Sequence, residues 1–128
     1  MMKTKRATKI FILLIVILFG YRYFNNHTNN NQSYEVNESI SYRFRNSELL
    51  KDHYYKHGIE MGFDSPLEYE TAASNVVNNP NALHKLEKED NDHVYFLEET
   101  NEIVFLSNDG YIRTYFISDS GKSYFDKQ

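Results

Sequence analysis

From Val94 onward the chain changes from helical to β periodicity, and this change does most to limit the folds open to it. Three runs rich in β-branched and aromatic residues are separated by turn sequences, of which Asn108-Asp109-Gly110 is a strong hairpin signal. Ser118-Asp119-Ser120-Gly121 forms a further turn before a short fourth run. The sequence therefore predicts an antiparallel meander of about four strands, at residues 94–98, 102–107, 111–117 and 122–125.

Two helices are predicted before the strands. The first runs from Ser47 to about His57, with a polar cap at its start and Gly58 as a left-handed stop. The second has the clearest start signal, because Ser65-Pro66-Leu67-Glu68 combines an N-cap serine, a proline at the first helical position and a glutamate at the third. Asn78-Asn79-Pro80 ends it. Helices followed by a meander predict an α+β fold, with both helices on one face of the sheet.

The N-terminal segment predicts a membrane anchor. Residues 1–9 are basic and residues 10–19 are uninterruptedly apolar, and an aromatic cluster extends the usable segment to Phe24. No small-x-small cleavage site follows, so residues 1–24 are interpreted as an uncleaved signal-anchor, with a cleaved signal or a buried globular segment as alternatives. The basic end places the N-terminus in the cytoplasm and the remainder outside, at the cell membrane or secreted if the anchor is cleaved. The Asn-rich residues 25–41 are predicted to be a flexible tether, and residues 42–128 the folded domain.

The composition of the chain limits the kinds of site it can form. The chain has no cysteine, which excludes disulfides, thiolate zinc sites and a cysteine nucleophile. Residues 25–128 hold nine basic and all 18 acidic residues, a formal charge of −9. Nucleic-acid binders are expected to be basic where they contact phosphate, so this charge argues against RNA binding unless the basic residues converge on one cleft.

The helix end at residues 52–58 carries the strongest chemical signal. His53 and His57 are four residues apart and therefore share a helical face, and Lys56 lies close to that face. Two imidazoles that titrate near neutrality beside a fixed cation suit phosphodiester cleavage without a metal. A solvated or half-buried histidine pair without function explains the same pattern, and a metal site lacks a third ligand. His84 and His93 are placed in loops without a role, and the acidic residues 87–92 in a solvent-facing loop.

Four blocks in order resemble a known family. These are His53-Tyr54-Tyr55-Lys56-His57-Gly58, the helix from Ser65 to Tyr69, Thr100-Asn101-Glu102, and Asp109-Gly110-Tyr111-Ile112-Arg113-Thr114-Tyr115-Phe116. The chain resembles, from about Phe44 to its end, the phage-type members of the barnase/EndoU/colicin/RelE-like nucleases, small RNases found as toxin domains in interbacterial competition. The resemblance implies cleavage of RNA, often tRNA, without a metal or other cofactor.

The resemblance also implies site residues. Catalytic roles fall on His53, His57, Arg113, Thr114 and Tyr115, and substrate binding on Lys56, Thr100 and Asn101. In that chemistry a histidine transfers the proton of the ribose 2′-hydroxyl or of the leaving oxygen, and a guanidinium stabilises the charged phosphorus centre. The residue pattern alone has plainer explanations, since Arg113 reads as an exposed sheet residue, Thr100-Asn101 as a turn, and Tyr115 as core.

A different use of the same fold competes with the enzyme. The acidic charge and the predicted position outside the membrane both argue against an active RNase. A catalytically silent domain tethered at the cell surface, binding a protein partner in exclusion or immunity, is the alternative interpretation, because fold does not fix function.

Overall fold

The computed structural model describes residues 39–128, which form an α+β unit, as the sequence predicts. A five-stranded sheet has the order β1-β5-β4-β3-β2, in which β1 is parallel to β5 and all other neighbours are antiparallel. The strands are β1 (Arg43–Phe44), β2 (Leu83–Leu86), β3 (His93–Leu97), β4 (Glu102–Leu106) and β5 (Tyr111–Ile117). The helices are α1 (Ser47–His53), which continues into a π-helical turn (Tyr54–Gly58), α2 (Pro66–Asn78) and α3 (Lys122–Lys127).

The sheet differs from the predicted four-stranded antiparallel meander at both edges. β2 pairs with β3 along its whole length and was missed because its Leu-His-Lys-Leu sequence is short and half polar. β1 adds two residues in parallel to the other edge, pairing Phe44 with Ile112. A strand of two residues forms because of the strand it pairs with, which lies far away in the sequence, so the local sequence carries no pattern that predicts it.

The predicted fourth strand at residues 122–125 is wrong, because this segment forms helix α3. The segment pairs with neither edge strand of the sheet, β1 or β2. The helix instead places Phe125 over the sheet, with its ring 5.6 Å from that of Phe96. Lys122 and Asp126 make an ion pair of 2.8 Å at the spacing of one helical turn.

The first helix also ends differently from the prediction. Regular α-helix stops at His53, and the following turn closes with bonds five residues apart, from Ile59 N–H to Tyr54 C=O and from Phe63 N–H to Gly58 C=O. Gly58 is not the left-handed stop, a conformation that Gly62 adopts with φ 89°. Gly58 is instead buried against the rings of Tyr54 and Tyr69.

The core lies on both faces of the sheet. Helix α2 covers one face, where its buried residues pack with Tyr54, Val104, Ile112 and Tyr115. Phe125 of α3 packs on the other face with Phe96, Ile103 and Phe105. A bulge in the β4–β5 pairing leaves Arg113 as an extra residue, since Phe105 pairs with Thr114 and Leu106 with Ile112. Ile112 and Tyr115 therefore both face α2, and Thr114 faces the side of α3.

Within residues 39–128, no helix is long and apolar enough to cross a membrane. The predicted anchor at residues 1–24 and most of the predicted tether lie outside the described residues. The end of that tether is bound to the domain, because the Ile40 carbonyl accepts a 2.8 Å hydrogen bond from the Asn78 side chain and one of 3.3 Å from Ser74 Oγ.

Candidate active site

A cleft of about 690 Å³ lies between the π-helical turn, strand β5 and helix α3. It brings together five of the eight residues to which the sequence assigned catalysis or substrate binding. These five are His53, Lys56, His57, Arg113 and Thr114. Aromatic side chains form much of the remaining wall, and the cleft is open to solvent.

The two histidines project from the end of α1 and from the π-helical turn, and each is held by an aromatic ring. His53 stacks on Phe44 with ring centroids 5.2 Å apart, and His57 stacks on Phe116 at 5.4 Å. The two imidazoles lie 6.2 Å apart between centroids, with an angle of 27° between their planes. The fold therefore fixes both rings beside one another at the cleft wall.

Both imidazoles are held in the neutral form at neutral pH. Burial lowers the pKa of His53, and the nearby His57 and Lys56 lower it further. Burial also lowers the pKa of His57, and Lys56 acts in the same direction. Nδ1 of His53 is buried and has no hydrogen-bond partner within the described residues, which leaves Nε2 as the nitrogen of this ring that can exchange a proton with a bound molecule. This arrangement suits proton acceptance better than proton donation while the cleft holds no anion.

Lys56 stands between the histidines at a junction of two clefts. Its side chain is exposed and lines the main cleft together with a neighbouring one of about 660 Å³. His57, Phe116 and Tyr124 are likewise shared by both. A cation at this junction can attract a phosphate from either side.

Arg113 reaches the cleft but is bound by carboxylates. Its Nη1 donates to Asp92 Oδ2 at 2.5 Å, to Asp90 Oδ2 at 2.8 Å and to Glu87 Oε2 at 3.4 Å. Hydrogen bonding and attraction by these acids raise the pKa of the guanidinium, Asp92 contributing most. Residues 87–92 are a loop, as the sequence predicts, but the interpretation that its charges simply face solvent is wrong. Three of its carboxylates form an acidic clamp (Glu87, Asp90 and Asp92) around one arginine, and those of Glu87 and Asp92 are largely buried.

The acidic clamp is also compact enough for a cation. One oxygen from each of the three carboxylates lies within 4.8 Å of the others. Arg113 Nη1 lies among these oxygens, so its guanidinium supplies the positive charge that compensates them. A second arginine of the cleft is paired in the same way, because Arg45 contacts both oxygens of Asp109 at 2.8 Å and lies over the ring of Tyr111.

The three remaining predicted site residues lie outside this cleft. Tyr115 is fully buried on the α2 face, where its hydroxyl donates to Glu102 and burial raises its pKa above the ordinary range. Thr100 and Asn101 lie in the β3–β4 turn, and Asn101 adopts φ 58°, so turn geometry explains them. The structure therefore does not bring these residues to the histidines.

Sequence reasoning missed several residues of the cleft. Tyr124 lies in α3, within the segment that was predicted as a strand, Gln128 is the residue that follows α3, and Glu87 belongs to the acidic clamp. Phe116 belongs to one of the blocks that carry the resemblance but was given no role at the site, although it is the surface on which His57 stacks. No local pattern marks these positions, because helix α3 and the clamp join the cleft only through tertiary packing.

Comparison of the chain with protein-family models and with curated proteins found no match.

Proposed function

We propose that the chain is a membrane-anchored, ribonuclease-like protein that cleaves RNA phosphodiesters without a metal, through attack of the ribose 2′-hydroxyl. The observation that carries the proposal is the convergence of His53, Lys56, His57, Arg113 and Thr114 on one cleft. These residues come from two distant parts of the chain, and together they supply proton-transfer groups, fixed cations and a hydroxyl donor.

In the proposed reaction the 2′-oxygen attacks phosphorus while a neutral imidazole takes its proton. The bond to the 5′-oxygen breaks, giving a 2′,3′-cyclic phosphate and a 5′-hydroxyl, and the second imidazole supplies the proton of that hydroxyl. Burial lowers the pKa of both histidines in the free protein. A bound phosphate opposes this, because a nearby negative charge favours the imidazolium. Substrate binding thus favours protonation of the histidine that acts as the acid, while the other histidine remains neutral and acts as the base.

Lys56 and Arg113 stabilise the charge that develops on the phosphate oxygens, and Thr114 donates a hydrogen bond. The three contacts of Arg113 to the acidic clamp all involve Nη1. The clamp therefore orients the guanidinium, and Nη2 and Nε are the atoms proposed to bind phosphate. The neighbouring cleft beyond Lys56 gives an RNA strand room on the far side of the scissile bond.

A second candidate function is a catalytically silent binding domain of the exclusion or immunity type. The observation in its favour is the neutralisation of both arginines of the cleft, Arg113 by the acidic clamp and Arg45 by Asp109. An acidic domain with few free cations is better suited to a protein partner than to RNA.

The location at the membrane is part of the proposal. Residues 10–24 are proposed to anchor the chain with its N-terminus in the cytoplasm and residues 42–128 outside, or to be removed so that the domain is secreted. Protease protection of a C-terminally tagged chain in intact cells separates these topologies from a cytoplasmic domain.

The deciding experiment incubates total tRNA with the full-length protein in mild detergent and EDTA. Wild type, His53→Ala, Arg113→Ala and the control His84→Ala, whose side chain lies on the other face of the sheet, are compared. We expect cleavage by the wild type and the control, with products ending in a cyclic phosphate, and a loss of at least about a hundredfold in the His53 variant. Absence of cleavage by wild type at micromolar protein overturns the enzyme and favours the binding domain.

A further inference from the structure

His84 and His93 meet at the open edge of the sheet. His84 lies on the edge strand β2 and His93 on the adjacent β3, and His84 Nε2 is 2.8 Å from His93 Nδ1. Their ring centroids are 5.0 Å apart and their planes differ by 17°. His84 is exposed and His93 is half-buried, so solvent reaches a point on which two imidazole nitrogens converge.

Tyr95 holds this pair in place. It lies opposite His84 in the β2–β3 register, and its ring stacks on His84 at 4.6 Å and on His93 at 6.3 Å. Tyr95 in turn packs against the core beneath α2. The two imidazoles are therefore oriented by the sheet and by a supporting ring.

The pair is separate from the candidate active site. His84 and Tyr95 align across the sheet with Val104 and Tyr115, which face α2. The neighbouring row holds Lys85, Val94, Phe105 and Thr114, which face the cleft side. Nothing in the proposed RNA chemistry uses the two histidines.

We propose that His84 and His93 form a binding site for one divalent copper ion. Two nitrogens bound to one metal at about 2.0 Å lie about 2.8 Å apart when they are cis in a square-planar site, and about 3.3 Å apart in a tetrahedral one. The observed separation of 2.8 Å is that of a hydrogen bond, and it already brings the two nitrogens as close together as the square-planar geometry that Cu(II) prefers requires. Imidazole suits Cu(II), which also binds more tightly than the other divalent first-row ions.

Copper would replace the proton that the two nitrogens share in the hydrogen bond. The ring that donates this N–H loses the proton to solvent and takes one from solvent on its other nitrogen, so both rings bind as neutral imidazoles with no net release of protons. Each ring turns so that its lone pair points at the metal, which the exposure of His84 permits. Water completes the coordination. The net charge of −9 over residues 25–128 favours the approach of a cation.

His53 and His57 provide a matched comparison within the same chain. They form the only other pair of stacked imidazoles among residues 39–128, but their centroids are 6.2 Å apart and Nδ1 of His53 is buried. Two such rings converge less closely on a common point than His84 and His93 do.

The test is titration of the full-length protein with CuCl₂ in mild detergent at pH 7.5, followed by calorimetry and electron paramagnetic resonance. All proteins carry His27→Ala, so that only the described histidines compete. We expect one Cu(II) per chain with two coordinated nitrogens, and an affinity at least about tenfold lower in His84→Ala and in His93→Ala. The double variant His53→Ala/His57→Ala should bind Cu(II) with the same affinity as the parent protein.

Thermal unfolding supplies a second measurement. Copper should raise the Tm of the parent protein, because it binds the folded state, and should not raise that of His84→Ala/His93→Ala. Far-UV circular dichroism of the copper-free variants establishes that they are folded. Unchanged affinity in the His84/His93 double variant, loss only in the His53/His57 variant, or no binding below about 100 μM Cu(II) would each overturn the proposal.

Discussion

Arg113 of the sheet and Asp92 of the β2–β3 connection are joined by a 2.5 Å ion pair in which the carboxylate is largely buried. Asp92 also accepts a 3.3 Å hydrogen bond from the backbone N–H of Asn108. One carboxylate thus links the acidic clamp, the β4–β5 hairpin and the bulge residue of β5. The contribution of the Asp92 carboxylate to the free energy of unfolding should exceed that of an ordinary surface ion pair.

Replacing Asp92 with alanine should lower the free energy of unfolding by about 1–3 kcal/mol, because Arg113 and the Asn108 amide both lose a largely buried charged acceptor. Lys122→Ala breaks the exposed Lys122–Asp126 pair and should cost about 0.3–0.5 kcal/mol. Urea unfolding of both variants measures the difference. Equal and small losses would show that the acidic clamp is merely a solvated loop.

Gly58→Ala should destabilise the protein by about 1–3 kcal/mol through overpacking. A Cβ at this position would lie 2.5 Å from Cδ2 of Tyr54 and 3.0 Å from Cδ2 of Tyr69. Because both rings belong to the core beneath the π-helical turn, the strain would shift the backbone that carries His57. Thermal unfolding checks the prediction.

Gly62 provides the control for this substitution. It has φ 89°, and a Cβ added there would have no heavy atom of another part of the chain within 4 Å. Gly62→Asn therefore introduces no clash at Cβ, and asparagine tolerates positive φ. This variant should lose less stability than Gly58→Ala. A reversed order would mean that backbone conformation, and not close packing, makes glycine necessary in this segment.

Stability should rise with pH through the range just below the unfolded-state histidine pKa of about 6.5. His53 and His57 have lowered pKa values in the folded protein, mainly through burial. Between the folded and unfolded values the unfolded chain binds more protons, so acidification favours unfolding. Urea unfolding between pH 5 and 7.5 should show a shallower pH dependence for His53→Gln/His57→Gln than for wild type. An unchanged slope would mean that the two imidazoles titrate alike in both states.

The sequence predicts elements whose signals are local. The start of α2 is set by the N-cap Ser65, whose side chain accepts a hydrogen bond from Glu68 N–H at 3.2 Å. The β4–β5 turn is set by Gly110, which has φ 88°. Both depend on residues within four positions of one another. They are therefore visible without knowledge of the fold.

The remaining features depend on distant partners. The acidic residues look solvent-facing until Arg113, more than 20 positions away, is placed among them. Residues 122–125 have a strand-like composition, but they form a helix whose Phe125 packs on Phe96 of the sheet. The bulge at Arg113 changes the alternation of β5, which sends Tyr115 to the core and Thr114 to the cleft. A prediction that assumes strict alternation of side chains along this strand cannot include the change that the bulge introduces.

Tyr115→Phe should separate the sequence-based catalytic role of this tyrosine from a structural one. Its hydroxyl donates to Glu102, and its ring is fully buried beneath α2, packed on Tyr69 with ring centroids 5.1 Å apart. Phenylalanine keeps the packing but leaves the Glu102 carboxylate without this donor, so we expect a loss of about 1–3 kcal/mol in the free energy of unfolding. Well below its Tm, the variant should cleave RNA at the wild-type kcat if the proposed activity is present, whereas His53→Ala should not. A folded Tyr115→Phe protein that has lost cleavage, beside an active wild type, would restore the catalytic assignment and require β5 to rearrange when RNA binds.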